Sequence, residues 1–259
     1  MTPPEPPESP LQQDVPAPSR PSDPAPSSTL LSPFWNYQDL LLFLASVFPA
    51  LLVAALVVRS TRLAQSFGKP FEGLLAQLIW YALVFGVLYA LLRGRYGKSF
   101  WRSLGWKFPF SGMVLVLFGG PILALAIGYL GYVLRTPDIE MPFRQMLDNR
   151  PTLILFAIFV VVLGPLCEEL AFRGFLMPLF IRSFGAAIGI AVTGILFGCL
   201  HAPEYDWSWR HVLLIAVAGT VFGWIRYRTN STTASTLMHS AYNLTQFAAF
   251  LAQSVSSPQ

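Results

Sequence analysis

Residues 164–174 read GPLCEELAFRG and directly follow an unbroken apolar run at 153–163. Two adjacent carboxylates and a guanidinium therefore lie in a segment that otherwise suits lipid, where each charge costs about 2.5–3.5 kcal/mol on insertion. On a helix Glu169 and Arg173 are four residues apart with the acid first, which is the favourable order for an ion pair. Glu168 points about 100° away and has no partner in its own helix. The pattern indicates either an ion pair that locks two helices or, for Glu168 in particular, a functional acid.

The composition is that of an integral membrane protein. Of the 259 residues, 54% are hydrophobic and only 12% are charged, and the mean hydropathy is +0.55. Soluble domains carry about 25% charged residues. The formal net charge of +4 fits loops that touch anionic headgroups and gives no argument for nucleic acid. Both cysteines, Cys167 and Cys199, lie in apolar stretches, so no disulfide framework is indicated.

Long apolar segments predict an all-α, polytopic membrane helix bundle of about seven transmembrane helices. Residues 1–33 hold half of the 22 prolines, and we expect a disordered proline-rich tail because such a composition cannot bury enough apolar surface to fold. Residues 34–150 then form the N-terminal transmembrane helices. Trp35 and Tyr37 are expected at the membrane interface. The predicted spans are residues 40–58, 74–92, 113–134, 151–181, 184–200, 212–227 and 233–252.

Two of the three histidines lie at or inside apolar helices. His201 ends the fifth predicted span, and His239 lies near the start of the seventh, four residues before Asn243 and on the same helical face. Together with Glu168, the residues His201, His239 and Asn243 supply the side-chain types that hydrolysis by an activated water needs. A Glu and a His can take a proton from water, and an amide and a second His can donate to a tetrahedral oxyanion. The same two histidines and Glu168 could instead hold Zn²⁺ with an open position.

Three short motifs occur in order, namely Glu168-Glu169-x-x-x-Arg173, Phe197-x-x-x-His201 and His239-x-x-x-Asn243. In order and spacing they resemble the CAAX prenyl protease and bacteriocin-processing (CPBP/Abi) family of intramembrane endopeptidases, over residues 150–250. The resemblance implies a catalytic transmembrane core at residues 151–253. Within it, Arg173 and Phe197 would support the catalytic residues.

The same resemblance implies a role for each remaining motif residue. Glu168 and His201 would activate the water, and His239 and Asn243 would stabilise the oxyanion. Glu169 would be a further essential acid. Members of the family are labelled metalloproteases, and a metal-free glutamate mechanism has also been argued. The resemblance therefore leaves open whether Zn²⁺, held by His201, His239 and Glu168, is a cofactor.

The expected activity is cleavage of a peptide bond near the C-terminus or the membrane-proximal part of a protein or peptide, prenylated or not. The expected partners are membrane lipids and that substrate, with no nucleic acid. The membrane would be the plasma membrane in a bacterium or the endoplasmic reticulum membrane in a eukaryote. Two alternatives stay open: a proton-coupled transporter that uses the buried acids and imidazoles as a relay, and a non-catalytic membrane scaffold.

One feature argues against simple alternation of the spans. His201 ends its span and His239 lies near the start of another, so the two start from opposite faces if the helix between them crosses fully. They can meet only where a helix is short, tilted, or turned away from lipid at its end.

Overall fold

The computed structural model describes residue 1 and residues 32–61, 68–108, 112–139 and 149–256. All secondary structure in these ranges is helical. Most of the predicted proline-rich tail, residues 2–31, lies outside them. The helices are α1 (Tyr37–Ser60), α2 (Lys69–Arg95), α3 (Phe100–Ser103), α4 (Met113–Leu134), α5 (Arg150–Phe184), α6 (Ala186–Leu200), α7 (Trp209–Thr229) and α8 (Thr232–Ser256).

Five of these helices are long and apolar enough to cross a membrane, which makes the chain an integral membrane protein with a polytopic helical bundle. They are α1, α2, α4, α5 and α7. The predicted count of seven is not confirmed, because α6 has only 15 residues and α8 begins with a polar run. At 1.5 Å per residue α6 is about 22 Å long, shorter than a hydrocarbon core of about 30 Å.

Small residues let α6 and α7 pack closely against each other. A Cβ added at Gly194 would lie 2.8 Å from the backbone nitrogen of Thr220, and one added at Gly198 would lie 2.5 Å from the carbonyl oxygen of Val212. Only glycine therefore allows α6 and α7 to pack this closely, as small residues do in membrane bundles. This contact fixes the end of α6, which His201 follows directly, against α7.

Glu168 and Glu169 lie between two π-helical turns of α5, Phe159–Leu163 and Leu170–Leu176, and Arg173 lies within the second. A π-turn interrupts the regular ladder and leaves carbonyls without their usual partner, which is frequent at functional sites. A side chain from another part of the chain binds one carbonyl in each turn. Asn243 Nδ2 donates to the Val160 carbonyl at 2.8 Å, and Trp35 Nε1 donates to the Phe175 carbonyl at 3.0 Å.

Trp35 is therefore not the interfacial anchor that its position at the start of a span predicts. Its side chain is completely buried and its ring stacks on Phe175, with centroids 5.5 Å apart. The reason is the free carbonyl of the π-turn, which gives the indole N–H a buried partner. Tyr37 remains partly exposed and shares a hydrogen bond of 2.6 Å with Ser183.

Candidate active site

A buried ion pair forms the floor of the site. The side chains of Glu169 and Arg173 are both 0% exposed, and Glu169 Oε1 lies 2.9 Å from Arg173 Nη1. The guanidinium also donates through Nη2 to the carbonyl of Gly219 at 2.7 Å, and it lies 4.5 Å above the ring of Phe197. The pair that the helical spacing predicts is thus present, and it links α5 to both α6 and α7.

His239 lies between the two adjacent glutamates. Its Nδ1 is 3.1 Å from Glu169 Oε1, and its Nε2 is 3.8 Å from Glu168 Oε2. The ring is almost completely buried and stacks on Phe222 with centroids 4.4 Å apart and an angle of 20°. The close contact to Glu169 fixes the imidazole, while the side chain of Glu168, 23% exposed, keeps access to the site.

His201 approaches the same centre from α6. Its Nδ1 lies 2.7 Å from the Phe197 carbonyl. Because a carbonyl only accepts, Nδ1 carries the proton of the neutral ring and Nε2 is left as the basic nitrogen. The Phe197 ring lies 4.5 Å from the His201 ring and 5.7 Å from the His239 ring, centroid to centroid. A single phenyl ring therefore separates the two imidazoles.

The two histidines meet because α8 does not start at a lipid-facing surface. Residues 231–236 are all buried, and the first residue of the helix, Thr232, donates its N–H to the Gly105 carbonyl at 2.9 Å. The helix thus begins inside the protein, against the segment after α3. Because α6 is short and α8 starts inside the protein, His201 and His239 can meet although they lie at opposite ends of their spans.

Asn243 lies one turn after His239 on the inner face of α8. Its amide group already donates one N–H to the Val160 carbonyl, so at most one further N–H can bind a substrate oxygen. The hydrogen bond also fixes the direction of the amide relative to α5. Asn243 is therefore held next to the charged stretch, and one of its two amide N–H groups is already hydrogen-bonded.

Residues that the motifs do not include also lie around Glu168. Glu204 follows His201 in a 3₁₀ turn, where its N–H donates to the His201 carbonyl at 3.1 Å. Desolvation by the surrounding protein raises the pKa of Glu204, and the charge of Glu168 raises it further, whereas His201 opposes the shift. No spacing rule singles out Glu204; only its place three residues after a candidate histidine could have indicated it.

An apolar cavity of about 490 Å³ adjoins the charged stretch on the side of α2. Cys167 lines it directly beside Glu168. The other lining residues are Leu78, Tyr81, Ala82, Phe85, Tyr89, Phe100, Trp101, Leu163, Leu166 and Leu170. Both cysteines, Cys167 and Cys199, are free.

A metal ion would need three or four converging donors. Within the described ranges no group of three His, Cys, Asp or Glu side chains is arranged to hold one. His239 Nδ1 faces Glu169 and His201 Nδ1 faces the Phe197 carbonyl, so each imidazole keeps Nε2 free, as metal-ligating histidines do. The chemistry of the donors thus suits zinc, but Glu168, His201 and His239 are not drawn together into a ligand set.

Comparison with known proteins agrees with the motifs. Residues 150–245 match the family model named Rce1-like, which is described as "Type II CAAX prenyl endopeptidase Rce1-like". No curated protein and no solved structure matches the chain. The matched range contains every motif residue of the site, from Glu168 to Asn243. Over residues 150–245, the chain is therefore similar to the Rce1-like type II CAAX prenyl endopeptidases.

Proposed function

We propose that the chain is an intramembrane endopeptidase that hydrolyses a peptide bond with water activated by Glu168 and His201. The match of residues 150–245 to the family model supports CAAX-type endopeptidase activity in general. The observation that carries the specific proposal is the convergence of two acids on one imidazole, with Glu168 and Glu169 on the two ring nitrogens of His239. A second imidazole, His201, lies just across Phe197.

In the proposed mechanism the adjacent acids have different tasks because their surroundings differ. Glu168 is partly exposed and has no guanidinium partner, so it can take a proton from the attacking water. The basic Nε2 of His201 assists on the other side of the same water. Glu169 is neutralised by Arg173 and keeps the His239 ring in place, much as a buried acid orients a catalytic histidine.

The carbonyl oxygen of the scissile bond becomes negatively charged when the water attacks. Because its Nδ1–H donates to Glu169, His239 would donate to this oxyanion through the Nε2–H of a doubly protonated ring. The remaining N–H of Asn243 would donate as well, and both interactions are strong in a site with little water. Collapse of the tetrahedral intermediate breaks the C–N bond, and the proton held by Glu168 passes to the leaving amine. Atoms and charge balance without another reactant.

The apolar cavity beside Cys167 supports a substrate that comes from the membrane. Its lining is almost entirely aliphatic and aromatic, and its volume falls in the range of ligand pockets. We propose that it takes the apolar group of the substrate while the peptide bond lies over Glu168. For the substrates in the family's name this group is a prenyl chain.

The experiment uses the full chain in lipid nanodiscs with two fluorogenic peptides, identical except for a farnesyl group on a CAAX cysteine. We expect cleavage of the farnesylated peptide and its loss in Glu168→Gln. The matched control is Glu72→Gln, which changes an acid of α2 whose salt bridge within the described residues is to the exposed Lys69 at 4.0 Å. Absence of cleavage of both peptides by the folded chain, or an active Glu168→Gln variant, would contradict the proposal.

The same assay addresses the predicted Zn²⁺. The protein is dialysed against a chelator, its metal content is measured, and Zn²⁺ is then added back. Activity that follows the bound zinc would require Glu168, His201 and His239 to rearrange into a ligand set. Full activity of protein that holds no zinc would support the glutamate mechanism.

A further inference from the structure

One end of the helical bundle brings together the start of α1 and the ends of α2 and α5. Asp39, in the first turn of α1, forms an ion pair of 3.0 Å with Arg95 at the end of α2. Arg182, in the last turn of α5, donates to the carbonyl of Pro33, four residues before α1, at 3.2 Å. These three helix ends therefore lie on one side of the membrane.

The end of α7 and the start of α8 lie at the same end of the bundle. The short helix α3 follows α2 closely, and the Gly105 carbonyl behind α3 accepts the N–H of Thr232, the first residue of α8, at 2.9 Å. Ser231, between α7 and α8, donates its hydroxyl to the Lys107 carbonyl. The segment after α2 is thus bound to the turn between α7 and α8.

The exposed charges at this end are positive. Among the described residues its carboxylate is Asp39, which is completely buried and paired with Arg95. Apart from Arg95, none of the exposed cations at this end forms an ion pair within the described ranges. We call these exposed cations the basic surface, and they are Arg93, Arg95, Lys98, Arg102, Lys107, Arg182 and Arg228.

The opposite end of the bundle carries both signs of charge. Arg210, at the start of α7, donates to the Arg135 carbonyl after α4 at 2.9 Å, so these two helix ends meet there. The described basic residues on that side are Arg59, Lys69, Arg135, Arg150 and Arg210, and the described acids are Glu72, Asp138, Glu204 and Asp206. The excess of positive charge in the described structure therefore lies at the basic surface.

Exposed tryptophans lie beside the cations of the basic surface. Trp101 is exposed and directly precedes Arg102 on α3, and Trp224 is exposed with the Arg228 guanidinium 5.8 Å from its ring. Tryptophan is typical of the membrane interface because its ring has an apolar body and a polar N–H. A soluble polyanion would use the cations and leave these indoles in water, whereas a lipid headgroup region accommodates both.

We propose that the basic surface binds the headgroups of anionic phospholipids in the leaflet that it faces. Its arginines can bind a phosphate through two N–H groups, and its lysines act as point charges. Near an anionic membrane surface each such cation raises the affinity about fivefold. The charge distribution and the exposed indoles carry this inference, and it does not depend on the proposed protease function.

The test measures which lipid contacts the full chain in a bilayer. The protein is reconstituted in phosphatidylcholine, part of which is replaced by brominated phosphatidylglycerol or, in a parallel series, by brominated phosphatidylcholine. Bromine quenches tryptophan fluorescence on contact, so the two series give the relative binding constant of the anionic lipid. We expect a preference of about tenfold at low ionic strength that weakens as salt is added. Equal binding of both lipids would overturn the proposal.

Charge-removing variants locate the preference on the protein. The first variant removes four unpaired cations of the basic surface by Lys98→Gln, Arg102→Gln, Lys107→Gln and Arg228→Gln, and its preference should fall to about one. The matched control removes four exposed cations of the opposite end by Arg59→Gln, Lys69→Gln, Arg135→Gln and Arg150→Gln, and it should keep most of the preference. A preference that survives in the first variant, or an equal loss in both, would contradict the proposal.

Two further measurements separate charge from folding and lipid from a soluble partner. If the fourfold variant does not fold, the double variant Lys98→Gln, Arg102→Gln decides by the same criterion, while Arg102→Lys should keep the preference because it keeps the charge. Heparin added in solution at physiological salt should leave the quenching by phosphatidylglycerol unchanged. Displacement of the lipid by heparin would assign the surface to a soluble polyanion and overturn the proposal.

Discussion

Replacing Glu169 with glutamine should lower the melting temperature, whereas the same change at Glu168 should leave it nearly unaltered. The side chains of Glu169 and Arg173 are both 0% exposed and 2.9 Å apart. Breaking such a pair on one side costs about 3–5 kcal/mol because the other charge stays buried. At about 2–4 °C per kcal/mol for a chain of this size, the loss is on the order of 10 °C. Glutamine can still accept from Arg173, so we expect the lower half of the energy range.

The expectation for Glu168 follows from its different contacts. Its side chain is 23% exposed, and the nearest basic group among the described residues, His239 Nε2, lies at 3.8 Å, beyond a hydrogen bond. Glu168→Gln should therefore shift the melting temperature by no more than the control Glu72→Gln, while cleavage falls to background. Glu169→Gln should lose both cleavage and stability.

The assay pairs two measurements on the same samples in detergent: thermal unfolding by tryptophan fluorescence and cleavage of the fluorogenic peptide. Retention of the wild-type melting temperature by Glu169→Gln would refute the assignment of a buried structural charge. Equal destabilisation by both variants would refute the division of tasks between the two acids. A folded and active Glu168→Gln variant would remove Glu168 from the mechanism.

Three further predictions follow from the contacts. Asn243→Ala should lower turnover by about 10²–10³ with little change in substrate binding, because it removes an oxyanion donor. An unchanged kcat for cleavage of the fluorogenic peptide would contradict this. Tyr96 donates to the buried Asp39 at 2.6 Å, and this hydrogen bond raises the pKa of Tyr96. The hydrogen bond therefore stabilises the fold fully below about pH 10, and this stabilisation is lost as the pH rises through the pKa of Tyr96 in the folded protein. Tyr96→Phe should remove that alkaline loss from a series of melting curves recorded at increasing pH. The double variant Cys167→Ser, Cys199→Ser should keep its cleavage activity, since neither thiol takes part in the proposed chemistry; an inactive but folded variant would revive a thiolate mechanism.

Much of the architecture could be predicted from apolar periodicity. The third predicted span, residues 113–134, coincides with α4 (Met113–Leu134), because its ends are marked by a glycine before and an arginine after the apolar run. The motif residues could be selected by their types and spacing, whereas simple alternation of the spans argued against the meeting of His201 and His239. The number of membrane crossings could not be predicted, because hydropathy does not distinguish a helix that spans lipid from one that is buried among other helices.

The π-turns of α5 could not be predicted in the same way. The apolar composition of a segment is the same whether each N–H bonds to the carbonyl four or five residues earlier. The sequence at 159–163 therefore looks like an ordinary α-helix. The consequence is large, since the shifted ladder frees the carbonyls that Asn243 and Trp35 bind. A tryptophan at the start of a span was therefore misplaced at the interface, and an asparagine expected to serve only an oxyanion is also a structural donor.

The different burial of two consecutive glutamates follows from helix geometry and from what each face of α5 meets. Side chains at successive positions diverge by about 100°, so Glu168 and Glu169 cannot both point to Arg173. Glu169 shares its face with Arg173, which binds the Gly219 carbonyl of α7, and its own carboxylate contacts His239 of α8. Glu168 follows Cys167, which lines the apolar cavity, and its side chain stays 23% exposed. An acid that must hold a protein together and an acid that must exchange a proton have opposite requirements for burial. Adjacent positions on one helix satisfy both requirements within a single turn.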